Sequence, residues 1–118
     1  MENTIKQDIT ALTRGITEKW KNFPVCEIND HVVRVSVLEK DFYWHSHSKS
    51  DEFFYVVEGE LFVDFEDRTE TLTQGQMIKV AKDVRHRTRS QKRTVILCFE
   101  STDNDVNGDD KKVNEIIN

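Results

Sequence analysis

Three histidines and one glutamate in this sequence have the chemistry and the spacing of metal ligands. His45 and His47 are two residues apart, so on a β-strand both imidazoles would project from one face, with their Cα atoms about 7 Å apart. Glu52 follows a short polar stretch, and His86 comes later in the chain. Three imidazole nitrogens and one carboxylate form a mixed set that suits borderline divalent cations. Since an isolated His-x-His pair is more often exposed or hydrogen-bonded, the prediction depends on Glu52 and His86 reaching the same point.

The residues around this set have the period of β-strands. After His31, Val33, Val35 and Val37 recur at every second position, which predicts a strand. Seven further runs rich in Val, Phe, Tyr and Thr predict strands at Phe42–His47, Glu52–Val57, Glu60–Glu66, Glu70–Leu72, Met77–Val80, Val84–Thr88 and Arg93–Glu100. Turn signals, among them Gly59 and Gly75, separate these runs. Many short strands at close spacing predict an all-β antiparallel sandwich or small barrel.

The two ends of the chain differ from this central part. Apolar residues recur three and four positions apart near the N-terminus at Ile5, Ile9, Leu12 and Ile16. This spacing predicts a short helix within Thr10–Trp20, in an N-terminal segment of residues 1–20. The barrel is expected at residues 21–100. Residues 101–118 are acidic with few apolar partners, a composition typical of a mobile tail.

Composition and charge exclude several classes of protein. The 118 residues suffice for one domain, and no apolar run approaches the roughly 20 residues of a membrane span. The 17 Lys and Arg against 22 Asp and Glu give a net charge of −5, so we expect neither nucleic acid nor a membrane as a partner. Cys26 and Cys98 are the two cysteines, and no secretory segment opens the sequence. We therefore expect a cytoplasmic protein with free thiols.

The candidate ligands and nearby glycines resemble the two sequence motifs of the cupin superfamily. The first motif, G-x5-H-x-H-x3-4-E-x6-G, is matched at His45, His47, Glu52 and Gly59. The second motif, G-x5-P-x-G-x2-H-x3-N, is matched at Gly75 and His86. Other motif positions are occupied by Glu39, Ala81, Asp83 and Ser90, so we expect differences in the turns and not in the ligands. The resemblance extends from about Trp20 through Phe99 and is closest to small single-domain cupins described as similar to mannose-6-phosphate isomerase.

This resemblance implies a jelly-roll or double-stranded β-helix barrel with one divalent transition-metal ion on His45, His47, Glu52 and His86. Mn, Fe, Ni, Zn and Cu all remain possible, and an intact barrel with an empty site is the alternative. A six-coordinate ion with these ligands would keep about one positive charge and two positions for water or substrate oxygens, which suits a small polar or anionic molecule. The resemblance implies either a metal-dependent enzyme of the dioxygenase or isomerase type, or a non-catalytic small-molecule-binding module. The phosphomannose isomerases include a glutamine in their ligand set, which counts against the isomerase type.

Strand alternation predicts which side chains surround the ligands. If His45 and His47 point inward, Tyr43 points inward as well, while Phe42 and Trp44 point outward. Tyr43 is then the one inward titratable neighbour, which leaves the sequence without a convincing general base.

The same alternation applies to the strand that begins at Glu52. It places Phe54 inside, as a second candidate pocket residue beside Tyr43, and it places Phe53 and Tyr55 outside. With Phe42 and Trp44 this gives four outward aromatic residues, too much apolar surface to leave in water. A second subunit would cover them, so we expect a homodimer; coverage by the N-terminal helix and the chain's own strands is the alternative.

Residues 79–93 form the basic part of this acidic chain. Arg85, Arg87 and Arg89 share one parity and His86 has the other, so the arginines are expected to face away from the metal ligands. A solvated face is favoured over a binding face for an anionic partner. His31 lies outside both motifs and is expected to be a surface or packing residue.

Overall fold

The computed structural model describes residues 4–104, which form one short helix and eight β-strands. The helix α1 covers Ile9–Thr13. The strands are β1 (Trp20–Ile28), β2 (His31–Leu38), β3 (Glu52–Glu58), β4 (Glu60–Phe65), β5 (Thr69–Thr73), β6 (Met77–Val80), β7 (His86–Arg89) and β8 (Thr94–Ser101). Of the expected tail at 101–118, residues 105–118 lie outside the described part of the chain, so the expected mobility stays a prediction.

The strands form two antiparallel sheets. One has five strands in the order β1-β2-β8-β3-β6, and the other has three in the order β5-β4-β7. The main core lies between the sheets, since it combines Leu38, Phe54 and Ile96 of the first with Leu61 and Val63 of the second. This architecture confirms the all-β jelly-roll with a short N-terminal helix.

A second apolar cluster lies on the outer face of the five-stranded sheet. Val35, Val37 and Val95 are buried there, and Ile9 and Ile16 of the N-terminal segment pack against them. Ile9 and Ile16 therefore cover part of this face, whereas Ile5 and Leu12 are exposed.

The N-terminal helix is shorter than the sequence spacing predicts. Asp8 caps it by accepting a hydrogen bond from the backbone N–H of Ala11, and it ends at Thr13, before Gly15. The predicted C-terminal part of the helix, up to Trp20, does not form. Trp20 instead begins β1, and its ring stacks on Phe42 with ring centroids 5.4 Å apart. Glycine is a poor helix former, which agrees with this early end.

Strand β1 was not predicted from the sequence, and it contains Pro24, which has no backbone N–H to donate to a neighbouring strand. β1 pairs only with β2 and is an edge strand, a position that tolerates proline because one side of the strand needs no hydrogen-bond donor. The pairing register also shifts between Pro24 and Cys26. This strand supplies Trp20 and Asn22 to the interior.

The expected strand at Phe42–His47 is instead an irregular segment with two isolated bridges, Asp41 to Arg89 and His45 to His86. Alternation does not hold in such a segment, so the prediction that Phe42 faces outward is wrong. Phe42 and Tyr43 are both buried, and their rings stack with centroids 4.2 Å apart.

Within residues 4–104, no helix has the length and hydropathy of a transmembrane helix.

Candidate metal centre

Backbone hydrogen bonds bring the candidate ligands together from separate parts of the chain. His45 and His86 exchange two backbone hydrogen bonds of 2.9 Å each, which joins the irregular segment to the start of β7. The backbone N–H of Asp83 donates to the carbonyl of His47 at 2.7 Å, and that of Lys82 donates to the Asp51 carboxylate at 2.9 Å. The turn before His86 is therefore attached to both segments that carry the other ligands.

The four side chains meet at one buried point. His45, His47, Glu52 and His86 each offer one ligand atom, and these atoms all lie within 4.8 Å of one another. Glu52 Oε1 lies 3.2 Å from His47 Nε2 and 3.4 Å from His86 Nε2. All four residues are at most 5% exposed. Such a cluster could hold a metal ion.

Two of the rings are oriented by the backbone two residues before them. His45 Nδ1 lies 2.9 Å from the carbonyl oxygen of Tyr43, and His86 Nδ1 lies 2.9 Å from that of Val84. A carbonyl oxygen only accepts, so each Nδ1 donates its hydrogen, and in the neutral ring Nε2 carries the lone pair. This arrangement is typical of metal-binding histidines, whose second nitrogen is fixed by a backbone or carboxylate acceptor.

Polar atoms at the centre fit a bound cation. Glu52 Oε1 and His86 Nε2 are buried and form no hydrogen bond of good geometry. A buried polar atom without such a bond costs about 1–3 kcal/mol, and coordination to an ion would remove that cost.

The protonation states also fit a cation. Burial, together with the nearby imidazole of His86, lowers the pKa of His45 to about 4. Burial raises the pKa of Glu52, but His47 and His86 outweigh this effect and hold it below its usual value. Near neutral pH the site therefore contains a neutral His45 imidazole and a negatively charged carboxylate.

A cavity of about 30 Å3 lies next to His45 and Glu52, with room for roughly two water-sized groups. Its other walls are formed by Trp20, Asn22, Ser36, Leu38, Phe42, Phe54, Thr88, Ile96 and Cys98. Of the two pocket candidates from the sequence, Phe54 lines this cavity, whereas Tyr43 is not among its lining residues and Phe42 takes that place.

Glu100 is a buried residue of the site that the sequence interpretation missed. It is 1% exposed and lies one residue beyond the Phe53–Phe99 pair of β3 and β8, on the side of Glu52. Burial and the charge of Glu52 raise its pKa to about 7. Strand alternation in the sequence could have identified Glu100. It lies on the same face of β8 as the buried Cys98, where a carboxyl group is unusual.

The arginines of β7 lie on the opposite face from His86, as their parity predicts. Arg87 and Arg89 both donate to Asp64, with Nε to Oδ2 distances of 2.8 and 2.7 Å. Their guanidinium groups also lie over the rings of Trp44 and Phe62. These contacts keep both arginines outside the metal centre.

Residues 31–100 match the cupin domain family model Cupin_2. The Bacillus subtilis (strain 168) protein YdbB, described as uncharacterized, is 44% identical over 95 residues, which cover 80% of this chain and 84% of that protein.

Two solved structures have a similar fold. A cupin-2 domain containing protein from Shewanella frigidimarina superposes with a TM-score of 0.77 at 28% identity, covering 80% of this chain and 93% of that one. Protein NMB1881 from Neisseria meningitidis superposes with a TM-score of 0.75, also at 28% identity, covering 83% of this chain and 100% of that one.

Proposed function

This chain belongs to the cupin domain family, and we propose that it is a metal-dependent enzyme that binds one divalent transition-metal ion through His45, His47, Glu52 and His86. The observation that carries this proposal is the burial of three imidazoles and one carboxylate whose ligand atoms lie within 4.8 Å of one another. Nitrogen donors favour Mn, Fe, Ni, Zn or Cu over Mg and Ca, which prefer oxygen ligands throughout.

The side chains beside the ligands suit a small polar or anionic group. Asn22, Ser36 and Thr88 offer hydrogen-bonding groups at the cavity, while Phe42 and Phe54 exclude water from its other walls. The small volume admits only the tip of a larger substrate. When bound, the metal supplies a Lewis acid for substrate oxygens and, if it is redox-active, a centre that activates dioxygen.

The composition of the cavity favours chemistry of the dioxygenase type over an isomerase reaction. Moving a proton between carbon atoms requires a general base within reach of the substrate. Among the described residues that line the cavity, the ionisable ones are the two ligands and Cys98, and burial raises the pKa of the Cys98 thiol well above its usual value. An isomerase similar to mannose-6-phosphate isomerase would need a base from elsewhere.

A non-catalytic binding module is the second candidate, and the same lack of a base supports it. Such a module would hold the oxygen atoms of a small ligand at the metal without changing them. It requires the ligands and the polar wall of Asn22, Ser36 and Thr88, and nothing more.

An activity panel on metal-loaded protein separates these functions. Oxygen uptake would be measured with diketones, phenols and hydroxy acids, and isomerisation with sugar phosphates, with His47→Ala as the control. We expect oxygen uptake with at least one of these compounds, lost in the control. Isomerisation without oxygen uptake would contradict the dioxygenase type, and affinity without any turnover would establish the binding module.

We also propose that two copies of the chain associate through an outer aromatic patch, formed by His31, Phe53, Tyr55, Met77 and Phe99. Phe53 lies opposite both Phe99 and Lys79 in the sheet, and Phe53, Tyr55 and Phe99 are only partly buried. Met77, opposite Tyr55, is 50% exposed. The other two aromatic residues expected on the outside have partners in their own chain, since Phe42 stacks on Trp20 and Trp44 lies beneath Arg87.

Light scattering during gel filtration tests this association. Wild-type protein is expected to elute with the mass of a dimer, and Phe53→Lys with that of a monomer because a charge enters an apolar interface. Ile5→Ser, a change at an exposed apolar residue that is not part of the patch, should leave the dimer intact. A monomeric wild type, or a dimeric Phe53→Lys, would contradict the proposal.

The cytoplasm is the compartment that we propose. Cys26 and Cys98 are both free thiols, which is the usual state of cysteines in a reducing environment.

A further inference from the structure

We propose that Ser36 is a specificity-determining residue of the cavity, where its hydroxyl group donates a hydrogen bond to a carboxylate oxygen of a small ligand. The ligand class that this contact favours is the 2-hydroxy acids, whose hydroxyl and carboxylate oxygens can reach the metal centre and Ser36 together. This inference rests on the metal site of the proposed function.

Strand register places Ser36 on the inner face of the five-stranded sheet, at the wall of the cavity. In the pairing of β2 with β1 and β8, Ser36 lies between Asn22 on one side and Ile96 on the other. Ser36 is 4% exposed, and its side chain lines the cavity together with those of Asn22 and Ile96. The metal ligands His45 and Glu52 line the same cavity. Since its volume is only about 30 Å3, a group that fills it contacts both Ser36 and these ligands.

Arg34 determines the direction of the hydrogen bonds along this wall. A guanidinium group only donates, so its Nη1, which lies 2.9 Å from Asn22 Oδ1, identifies that atom as the amide oxygen. The Nε of Arg34 lies 3.8 Å from Glu100 Oε2, which holds the guanidinium group from a second side. The amide nitrogen of Asn22 therefore faces Ser36 and donates to its hydroxyl oxygen at 2.6 Å. Ser36 is thus the acceptor in its contact with Asn22.

The hydroxyl group of Ser36 keeps its own hydrogen for another acceptor. Among residues 4–104, its remaining contact is with Cys98 Sγ at 3.8 Å, and a sulfur atom is a weak acceptor. A carboxylate oxygen in the cavity would be a much stronger acceptor, because hydrogen bonds to charged groups are roughly twice as strong as neutral ones. Ser36 therefore favours a ligand with an acceptor oxygen at this position over a ligand with an N–H group there.

The test is the affinity of Co2+-loaded protein for glycolate, followed through the visible absorption of the ion. We expect Ser36→Ala to bind glycolate about 10- to 100-fold more weakly than the wild type, because a hydrogen bond to a charged group is lost. The affinity for Co2+ itself, measured by calorimetry on metal-free protein, should not change, since Ser36 is not one of the proposed metal ligands.

Glycolamide separates the hydrogen bond from the shape of the ligand. It has as many non-hydrogen atoms as glycolate, but it carries an NH2 donor where glycolate has its second carboxylate oxygen. The wild type should prefer glycolate over glycolamide. This preference should fall about tenfold in Ser36→Ala, because a neutral hydrogen bond is weaker than one to a charged group and less is lost with glycolamide.

Ser90→Ala is the matched control for a merely structural effect. Ser90 is 3% exposed and donates to the backbone carbonyl of Glu60, but it is not among the residues that line the cavity. This variant should be less stable and still bind glycolate like the wild type. If Ser36→Ala does not fold, Asn22→Asp replaces it. An aspartate accepts from Arg34 and from Ser36 alike, so the hydroxyl hydrogen is no longer offered to glycolate and binding should weaken as well.

Wild-type glycolate affinity in Ser36→Ala, or an equal loss of affinity for glycolate and glycolamide, would overturn the role of Ser36 and leave the metal site intact. A Co2+-loaded wild type that binds neither compound would also overturn it. A wild-type protein that does not bind Co2+ would instead overturn the metal site itself, and the role of Ser36 with it.

Discussion

His45 shows how burial gives a common side chain the properties of a ligand. Its ring is 3% exposed, and burial together with the neighbouring His86 lowers its pKa to about 4. The backbone carbonyl of Tyr43 fixes its Nδ1 hydrogen. At neutral pH the ring therefore presents a lone pair toward Glu52 and the other two histidines.

This lowered pKa predicts that the metal-free protein loses stability in mild acid. In the unfolded chain His45 takes up a proton below its ordinary pKa of about 6.5, whereas in the folded protein it stays neutral down to about 4. Acid therefore favours the unfolded state, and stability present above pH 6.5 is lost as the pH falls toward 4. The difference between the two pKa values of His45 corresponds to a loss of about 3 kcal/mol in the free energy of unfolding, at about 1.4 kcal/mol for each unit of pKa.

Urea unfolding of metal-free protein between pH 7 and pH 4 measures this effect. As the pH is lowered, the free energy of unfolding should decrease in the wild type and decrease less steeply in His45→Gln. Equal slopes in the two proteins would contradict the assigned role of burial at His45.

Spacing in the sequence was sufficient to find the four candidate ligands but not all of their neighbours. His45, His47, Glu52 and His86 are brought together as expected, because a His-x-His pair and two later residues matched a known spacing. Glu100 was missed, since its place near Glu52 depends on the register between two strands that are distant in sequence. Phe42 was placed on the wrong side because alternation holds only within a regular strand.

Among the secondary-structure elements, the turn from β3 to β4 has the strictest requirement. Gly59 has a φ of 96°, and a Cβ added there would lie 2.5 Å from Thr94 Oγ1 and 2.8 Å from the Arg93 carbonyl oxygen. Gly75 has a similar φ of 87°, but an added Cβ would meet nothing within 4 Å. The two glycines share a left-handed conformation and differ in the space around them.

This difference predicts unequal effects of the same substitution. Gly75→Ala should lower the free energy of unfolding by about 1–2 kcal/mol, the cost of a left-handed backbone for alanine. Gly59→Ala adds a steric clash with a buried strand, so its loss should be larger by about 1–3 kcal/mol. Thermal and urea unfolding of the two variants provide the comparison, and similar losses would show that the contact with Thr94 is unimportant.

The turn before β7 shows why one departure from the sequence motif leaves the local geometry intact. Asp83 stands where the second motif has glycine, and its φ is 69°. Aspartate tolerates this left-handed conformation better than most residues do. The backbone N–H of Asp83 can therefore still donate to the carbonyl of His47, and His86 follows in the required position.

Most of the strands could be predicted from composition and alternation, whereas β1 could not. Pro24 argues against a strand, and only the position of β1 at the edge of the sheet makes proline acceptable. The segment before β3 was predicted as a strand from its aromatic residues. In the fold it makes only isolated bridges, at Asp41 and His45.

At the scale of the whole molecule, the two sheets and the N-terminal segment bury different parts of the apolar surface. The three-stranded sheet closes the core over the five-stranded one, and Ile9 and Ile16 cover part of the outer face. The metal centre lies inside, where the start of β3 meets the start of β7. A folded barrel is therefore a precondition for the site, because its ligands come from three separate segments.

The metal content of protein purified without chelator tests the central claim most directly. Elemental analysis should find about one transition-metal ion per chain in the wild type and almost none in His47→Ala. His31→Ala is the matched control, since this histidine stacks on Phe99 outside the metal centre, and it should retain the metal. Equal metal content in His47→Ala and the wild type would contradict the proposed site.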